Sequence, residues 1–143
     1  MRSFLSLVVI LLVAGITFAE QSVEFDDWTV HYSVIPSTFI SKEIAEKHKI
    51  VRGKDRAVCN ISVVDPDGNS YEAKVSGGFK NLMGQDLKLN FKTIKESEAV
   101  YFLASFKFTE GEKLKFEIEV EFEEHEETVK FEQEVYSRLD DTN

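Results

Sequence analysis

The side chains able to do chemistry in this 143-residue chain are few and scattered. Its histidines are His31, His48 and His125. No two share the i, i+2 spacing that puts both on one face of a strand, nor the i, i+4 spacing that does so on a helix. A soft copper site wants methionine or thiolate partners, and beyond Met1 the chain offers only Met83 and Cys59. No Gly-x-Ser-x-Gly elbow raises a serine for nucleophilic attack, and Ser76, before Gly77 and Gly78, has no identifiable base. The acidic run Glu123 to Glu127, interrupted by His125, lacks the Asp/Asn spacing and glycine of a calcium loop. It reads instead as a solvated turn whose charges protect a sheet edge. Cys59 is alone, so no intrachain disulfide can form, and it shares the apolar parity of Ala57, Ile61 and Val63, as a buried small hydrophobe would. We therefore expect no catalytic residue, no metal site and no cofactor, and a protein that is not an enzyme.

One polar grouping stands out. His31, Ser33, Asn60 and Ser62 have the parity opposite to the apolar residues of their segments, and Arg56 begins the second segment. If the two segments are neighbouring strands, these five residues form a polar patch beside the segment that joins them, a candidate binding site for a protein or a small ligand.

The elements that would position them are strands. Trp28, Val30, Tyr32 and Val34 alternate with Thr29, His31, Ser33 and Ile35; Val100 to Phe108 repeats the pattern; Leu114, Phe116, Ile118, Val120 and Phe122 alternate with lysines and glutamates. Period two with one dry and one wet face marks antiparallel sheets. Pro66-Asp67-Gly68 suits a three-residue hairpin loop that would pair Val63 with Tyr71, Ile61 with Ala73 and Cys59 with Val75. A loop at Glu123 to Glu126 would set Val120 against Val129 and Ile118 against Phe131. It would match Glu119 with Lys130 and Lys115 with Glu134, but oppose Glu117 to Glu132. Ser41 to His48 reads as a capped helix of about two turns, placed across one end of the sandwich, with a C-terminal His48 favourable to the helix dipole. Gly77-Gly78 predicts a bulge or close backbone approach, and Asn81 to Gln85 a bend. The predicted fold is an all-β, two-sheet antiparallel sandwich, immunoglobulin-like, with seven or eight strands and one short helix. A closed eight-stranded barrel is the competing architecture.

The address is set by the first nineteen residues. Arg2, the apolar run Phe4 to Ala14 and the small residues Thr17 and Ala19 make a secretory signal peptide, with cleavage expected after Ala19. No cysteine near the cut could carry a lipid, and the run is too short for a stable span. This predicts one exported domain over residues 20–143, with no integral membrane segment after cleavage and with frayed residues from Leu139 onward. Export removes only Arg2 among the charges, leaving 16 of the 17 basic residues against all 26 acidic ones. Such an excess argues against nucleic acid or an anionic lipid surface as partner, and favours a monomeric or weakly associating protein.

Read in order, His31-Tyr32, Pro36-Ser37-Thr38-Phe39, Arg56, Asn60-Ile61-Ser62-Val63, Val75-Ser76-Gly77, Asn81-Leu82, Gly84-Gln85 and Tyr101-Phe102-Leu103-Ala104 resemble the DUF4426 family across the mature chain. These are small exported proteins of Gram-negative bacteria without an established biochemical activity. The resemblance implies a periplasmic β-sandwich and supplies no catalytic residue; Ser33 stands where the family pattern has Asn. The function expected is a non-catalytic binding or accessory module, acting through the patch or by strand addition at a sheet edge. The alternative is a small-ligand carrier with a pocket between the sheets capped by the helix, made possible by small inward residues at Ala57, Ala73, Gly77 and Ala104.

Overall fold

The computed structural model describes residues 21–137. The signal peptide expected over residues 1–19 and the fraying expected from Leu139 lie outside them. Among the described residues there are nine strands: β1 (Gln21–Phe25), β2 (Trp28–Pro36), β3 (Arg56–Val64), β4 (Lys74–Lys80), β5 (Asp86–Lys88), β6 (Lys92–Glu96), β7 (Ala99–Lys107), β8 (Glu112–Phe122) and β9 (His125–Val135). A helix α1 (Lys42–Lys47) lies between β2 and β3. The strands form two open antiparallel sheets, ordered β1-β2-β3-β7-β6 and β5-β4-β8-β9. The architecture is the expected sandwich and not a closed barrel. The count exceeds seven or eight because β1 and β5 are short and largely exposed, and too brief to show alternation.

Strand alternation decides what is buried. Val30, Ile61, Val63, Ala104, Leu114, Ile118 and Val120 are all fully enclosed. The centre is a file of rings crossing between the sheets. Phe116 stacks on Phe131 (centroids 4.7 Å, 6° between planes), Phe131 on Tyr32 (4.3 Å), and Phe106 and Phe79 close on Phe116 at 5.6 and 5.4 Å. Such offset and tilted pairs add about 0.5–1.5 kcal/mol each beyond area burial.

The Pro66–Gly68 turn forms as read, with Gly68 at φ 83 and a hydrogen bond from its N–H to the Asp65 carbonyl. Desolvation of Asp65 is outweighed by hydrogen bonds from the Asn69 backbone and side chain (2.8 and 3.1 Å) and from the Tyr71 hydroxyl (3.2 Å), which hold its carboxyl below the ordinary range. The hairpin goes little further. The Asp65 N–H to Asn69 carbonyl bond, the Val64–Ser70 bridge and the Tyr71 N–H to Val63 carbonyl bond continue it; Ile61 pairs with Tyr32 and Phe102, Cys59 with Val34 and Ala104, and Val75 with Val120 of the other sheet. The chain changes sheet here. Apolar parity could not reveal this, because both sheets point their apolar faces at one interior.

The β8–β9 hairpin closes through two residues, not four: Phe122 faces His125, Ile118 faces Val129 and Phe116 faces Phe131. This register is two residues from the one expected. It replaces the Glu117–Glu132 opposition with Glu117 opposite Lys130 and Lys115 opposite Glu132. Lys113 reaches Glu132 at 3.3 Å and Lys115 at 3.9 Å. A shift of two preserves apolar parity, and the register that forms still opposes Glu121 to Glu126, but it adds Lys113 opposite Glu134 as a third favourable pair. His125 is half-buried rather than solvated, stacked on Phe122 at 5.1 Å.

Helix α1 starts where the Ser41 hydroxyl accepts the Ile44 N–H at 3.2 Å and is capped at the other end by His48. It lies on the outer face of the five-stranded sheet, not across the sandwich end. A second small core of Ile35, Ile40, Ala45, Ile50 and Val58 seats it there. Glu96 on β6 ties down its C-terminal end, meeting Lys47 at 2.7 Å and His48 Nε2 at 3.2 Å. Lys47 chiefly, with His48, holds the Glu96 carboxyl below its usual range.

Cys59 is fully enclosed between β2 and β7, and burial pushes its thiol up to about 12. The thiolate is the nucleophile, so the native protein should resist iodoacetamide at pH 8. Full labelling is expected only in denaturant; mass spectrometry of the alkylated protein checks this, and rapid native labelling would contradict the packing.

Candidate functional site

The outer face of the five-stranded sheet holds the polar patch. Strands β2 and β3 are direct neighbours, in a register that sets His31 opposite Ser62 and Ser33 opposite Asn60. Four of the five expected residues thus form a compact two-by-two block, each half-buried. The surrounding face adds Ser22, opposite His31 on β1, and Leu103, opposite Asn60 on β7. Tyr101, one position beyond the last β3–β7 pair on the same face, extends the row of Ser62. These flanking residues escaped sequence reasoning because nothing local signals that β7 adjoins β3.

Arg56 is not part of the block. It shares the face of Asn60 but lies four positions away, roughly 13 Å at strand rise. Val58 sits between them under the small core of α1. Arg56 pairs with Lys107 at the far end of β3 instead.

Within the block, the Asn60 Oδ1 atom is buried and has no hydrogen-bond partner. A buried unsatisfied acceptor costs about 1–3 kcal/mol. Asn60→Val removes the acceptor and places a β-branched residue on a central strand. We expect this variant to be more stable than the native protein by about 1–2 kcal/mol, read as a higher melting temperature by calorimetry. A lower melting temperature would mean that the carboxamide is satisfied in the fold.

The side chains of the block are hydrogen-bonding groups. Among the described residues no group of three or more His, Cys, Asp or Glu side chains could hold a metal ion, and no helix is long and apolar enough to cross a membrane. Of the inward small residues, Ala57 and Ala104 are fully enclosed, with the ring file between the sheets, and α1 is seated on the outer face at Ile35 and Val58. A separate depression of about 700 Å³ lies on the outer face of the other sheet, over Gly78, with Lys80, Glu117, Lys130 and Glu132 on its walls.

Residues 22–138 match the family model described as a domain of unknown function, DUF4426. The chain belongs to the DUF4426 family. A crystal structure of a DUF4426 family protein from Pseudomonas aeruginosa is 34% identical to it, with a TM-score of 0.75, covering 84% of this chain and 97% of that one. FetP of uropathogenic Escherichia coli strain F11, expressed in the periplasm, shares the fold at 13% identity and TM-score 0.59, over 84% of this chain and 98% of FetP. A copper-bound variant of FetP does so at 14% identity and TM-score 0.58, over 85% and 100%. Among the curated proteins none matches this DUF4426 chain significantly. The family match agrees with the resemblance drawn from the ordered motifs between His31 and Ala104. The FetP likeness adds the sandwich fold alone.

Proposed function

We propose that this DUF4426 protein is an exported, non-catalytic binding module of the periplasm that recognises its partner through the His31, Ser33, Asn60 and Ser62 block. The observation that carries this reading is the buried, unpaired Asn60 acceptor within the block it forms with His31, Ser33 and Ser62. A fold selected for stability alone would hold an apolar side chain there; binding sites keep such groups at a cost in stability. The partner it fits supplies hydrogen-bonding groups to the two serines and, once the carboxamide turns outward, an N–H donor to Asn60. The periplasmic address rests on the leader at residues 1–19 and agrees with the periplasmic FetP of like fold.

Native mass spectrometry of protein purified from periplasm, before and after denaturation, separates this reading from the small-ligand carrier. A clean polypeptide mass supports a protein partner. A reproducible added mass released by denaturation supports a carried ligand.

A further inference from the structure

The two sheets differ in width. Strand β9 is an edge of the four-stranded sheet and pairs, among the described residues, with β8 alone. At 11 residues it is longer than the other edges, with 5 in β1, 5 in β6 and 3 in β5. Trp28 lies beside His125 (6.3 Å) and Tyr32 stacks on Phe131 (4.3 Å), so β2 and β9 run the same way across the sandwich. Strand β1, one place beyond β2, has no strand opposite it among the described residues. Its inward Val23 and Phe25, paired with Val30 and Trp28, are only half-buried. They form an apolar ledge beside the half of β9 nearest its hairpin. The ledge is one strand wide. A lone extended segment fits there, whereas the edge of a second sandwich would bring its own other sheet into the space that β1 fills.

The backbone of β9 is set to receive such a segment. The Val135 carbonyl accepts the Gly111 N–H on the β8 side. Bonding direction alternates along an antiparallel pair, so the odd-numbered residues of β9 bond β8. The N–H and C=O groups of Glu126, Thr128, Lys130 and Glu132 then face the open edge. Those of Glu134 do too, with its carbonyl capped by Gln133 Nε2 at 2.9 Å. Charge says what the segment carries. Glu126 stands directly opposite Glu121 of β8, an unfavourable pairing of like charges. Glu127 adjoins it, and among the described residues no lysine or arginine forms an ion pair with Glu121, Glu126 or Glu127. The apolar ledge and this uncompensated acidic rim share one half of the strand. Every strand pair in both sheets is antiparallel. We propose that the β9 edge takes up, as an added antiparallel strand, a basic extended segment of another protein. Its apolar side chains would cover Val23 and Phe25, alternating with outward residues that place a lysine or arginine opposite Glu126. The site is separate from the His31 block, which lies on the outer face of the other sheet. Carboxylates that guard the edge against a like copy steer a basic segment towards it.

The probe is the capped peptide Lys-Val-Glu-Val-Lys-Val-Lys. In this pairing its first residue faces Glu132, its glutamate faces Lys130 and its last residue faces Glu126. Titrated by calorimetry at low ionic strength, it should bind the native protein one to one with a dissociation constant of about 10–100 µM. The charge-inverted peptide Glu-Val-Lys-Val-Glu-Val-Glu should bind about tenfold more weakly or worse, and so should the first peptide to Glu126→Lys. Glu126 is exposed, so the fold should survive that change, as circular dichroism will show. N-methylation separates an added strand from mere charge attraction. In the antiparallel pairing the N–H groups of the peptide's lysines and glutamate face β9, and those of its valines face solvent. Methylating the first set should abolish binding, and methylating the second should leave it unchanged. Amide hydrogen exchange in the complex should slow at Glu126, Thr128 and Lys130. No binding at about 1 mM peptide, equal binding by the peptide methylated on its lysines and glutamate, or slowing confined to other strands would each overturn the proposal.

Discussion

Gly77→Ala should lower the melting temperature by about 10–15 °C, the equivalent of about 3 kcal/mol in a domain of this size. Gly77 sits in β4 opposite Ile118 of β8, with φ at +135, a conformation rarely open to a residue with a Cβ. A Cβ built there would overlap the Glu117 carbonyl oxygen and crowd the Ile118 Cα at 2.9 Å. Both obstacles are backbone of a strand paired on both sides, so neither can rotate away. The conformational strain and the clash must be relieved together, by loosening the β4–β8 ladder. Gly78→Ala should cost less. Its Cβ would meet the Leu87 carbonyl, but β5 is a three-residue edge strand that can move. Equal melting temperatures for Gly77→Ala and the native protein would show that the two strands do not approach as described.

Phe116→Ala should destabilise by about 3–5 kcal/mol, as deletion of a core phenylalanine does when its surroundings relax only partly. Phe116 is 2% exposed and touches rings from three other strands: Phe79 of β4, Phe106 of β7 and Phe131 of β9. Phe131 in turn carries Tyr32 of the opposite sheet, so the cavity would open where the sheets meet. Urea unfolding measures the loss, and near-ultraviolet dichroism should report disordered neighbouring rings. Glu119→Ala, two positions after Glu117 on the wet face of the same strand, should stay within about 0.5 kcal/mol of the native protein. A Phe116→Ala loss below about 1 kcal/mol would place the core elsewhere.

The faces of the strands were legible in the sequence because period two survives any topology. Val30, Phe102 and Ile118 point inward whichever strand adjoins theirs. Helix α1 was legible from Ser41 and the helix formers after it, but its seat was not. Ile35 and Val58 have outer-face parity and make no local pattern with Ile40, Ala45 and Ile50 until β2 and β3 are side by side. The sheet change after Asp65 and the two-residue offset of β9 share a cause. Each keeps every apolar residue inside, so hydropathy is blind to both. Charge carried some information: the register that forms also opposes two glutamates, Glu121 and Glu126, but it makes one more favourable pair, Lys113 with Glu134.

The candidate site follows the same division. Parity placed His31, Ser33, Asn60 and Ser62 on one face, and the β2–β3 pairing drew them together. Arg56 has the right parity too, but Val58 under the helix separates it from them. The buried Asn60 acceptor could not be foreseen, because it depends on what lies over the carboxamide and not on the residue type.

The most direct test of a binding role for this face is photocrosslinking in intact cells, with a photoreactive residue at Ser33 and a control at Glu119 on the outer face of the other sheet. The account predicts a discrete adduct from position 33, none from position 119, and loss of the adduct when Asn60→Val is added. No adduct from position 33, or the same adducts from both positions, would contradict it.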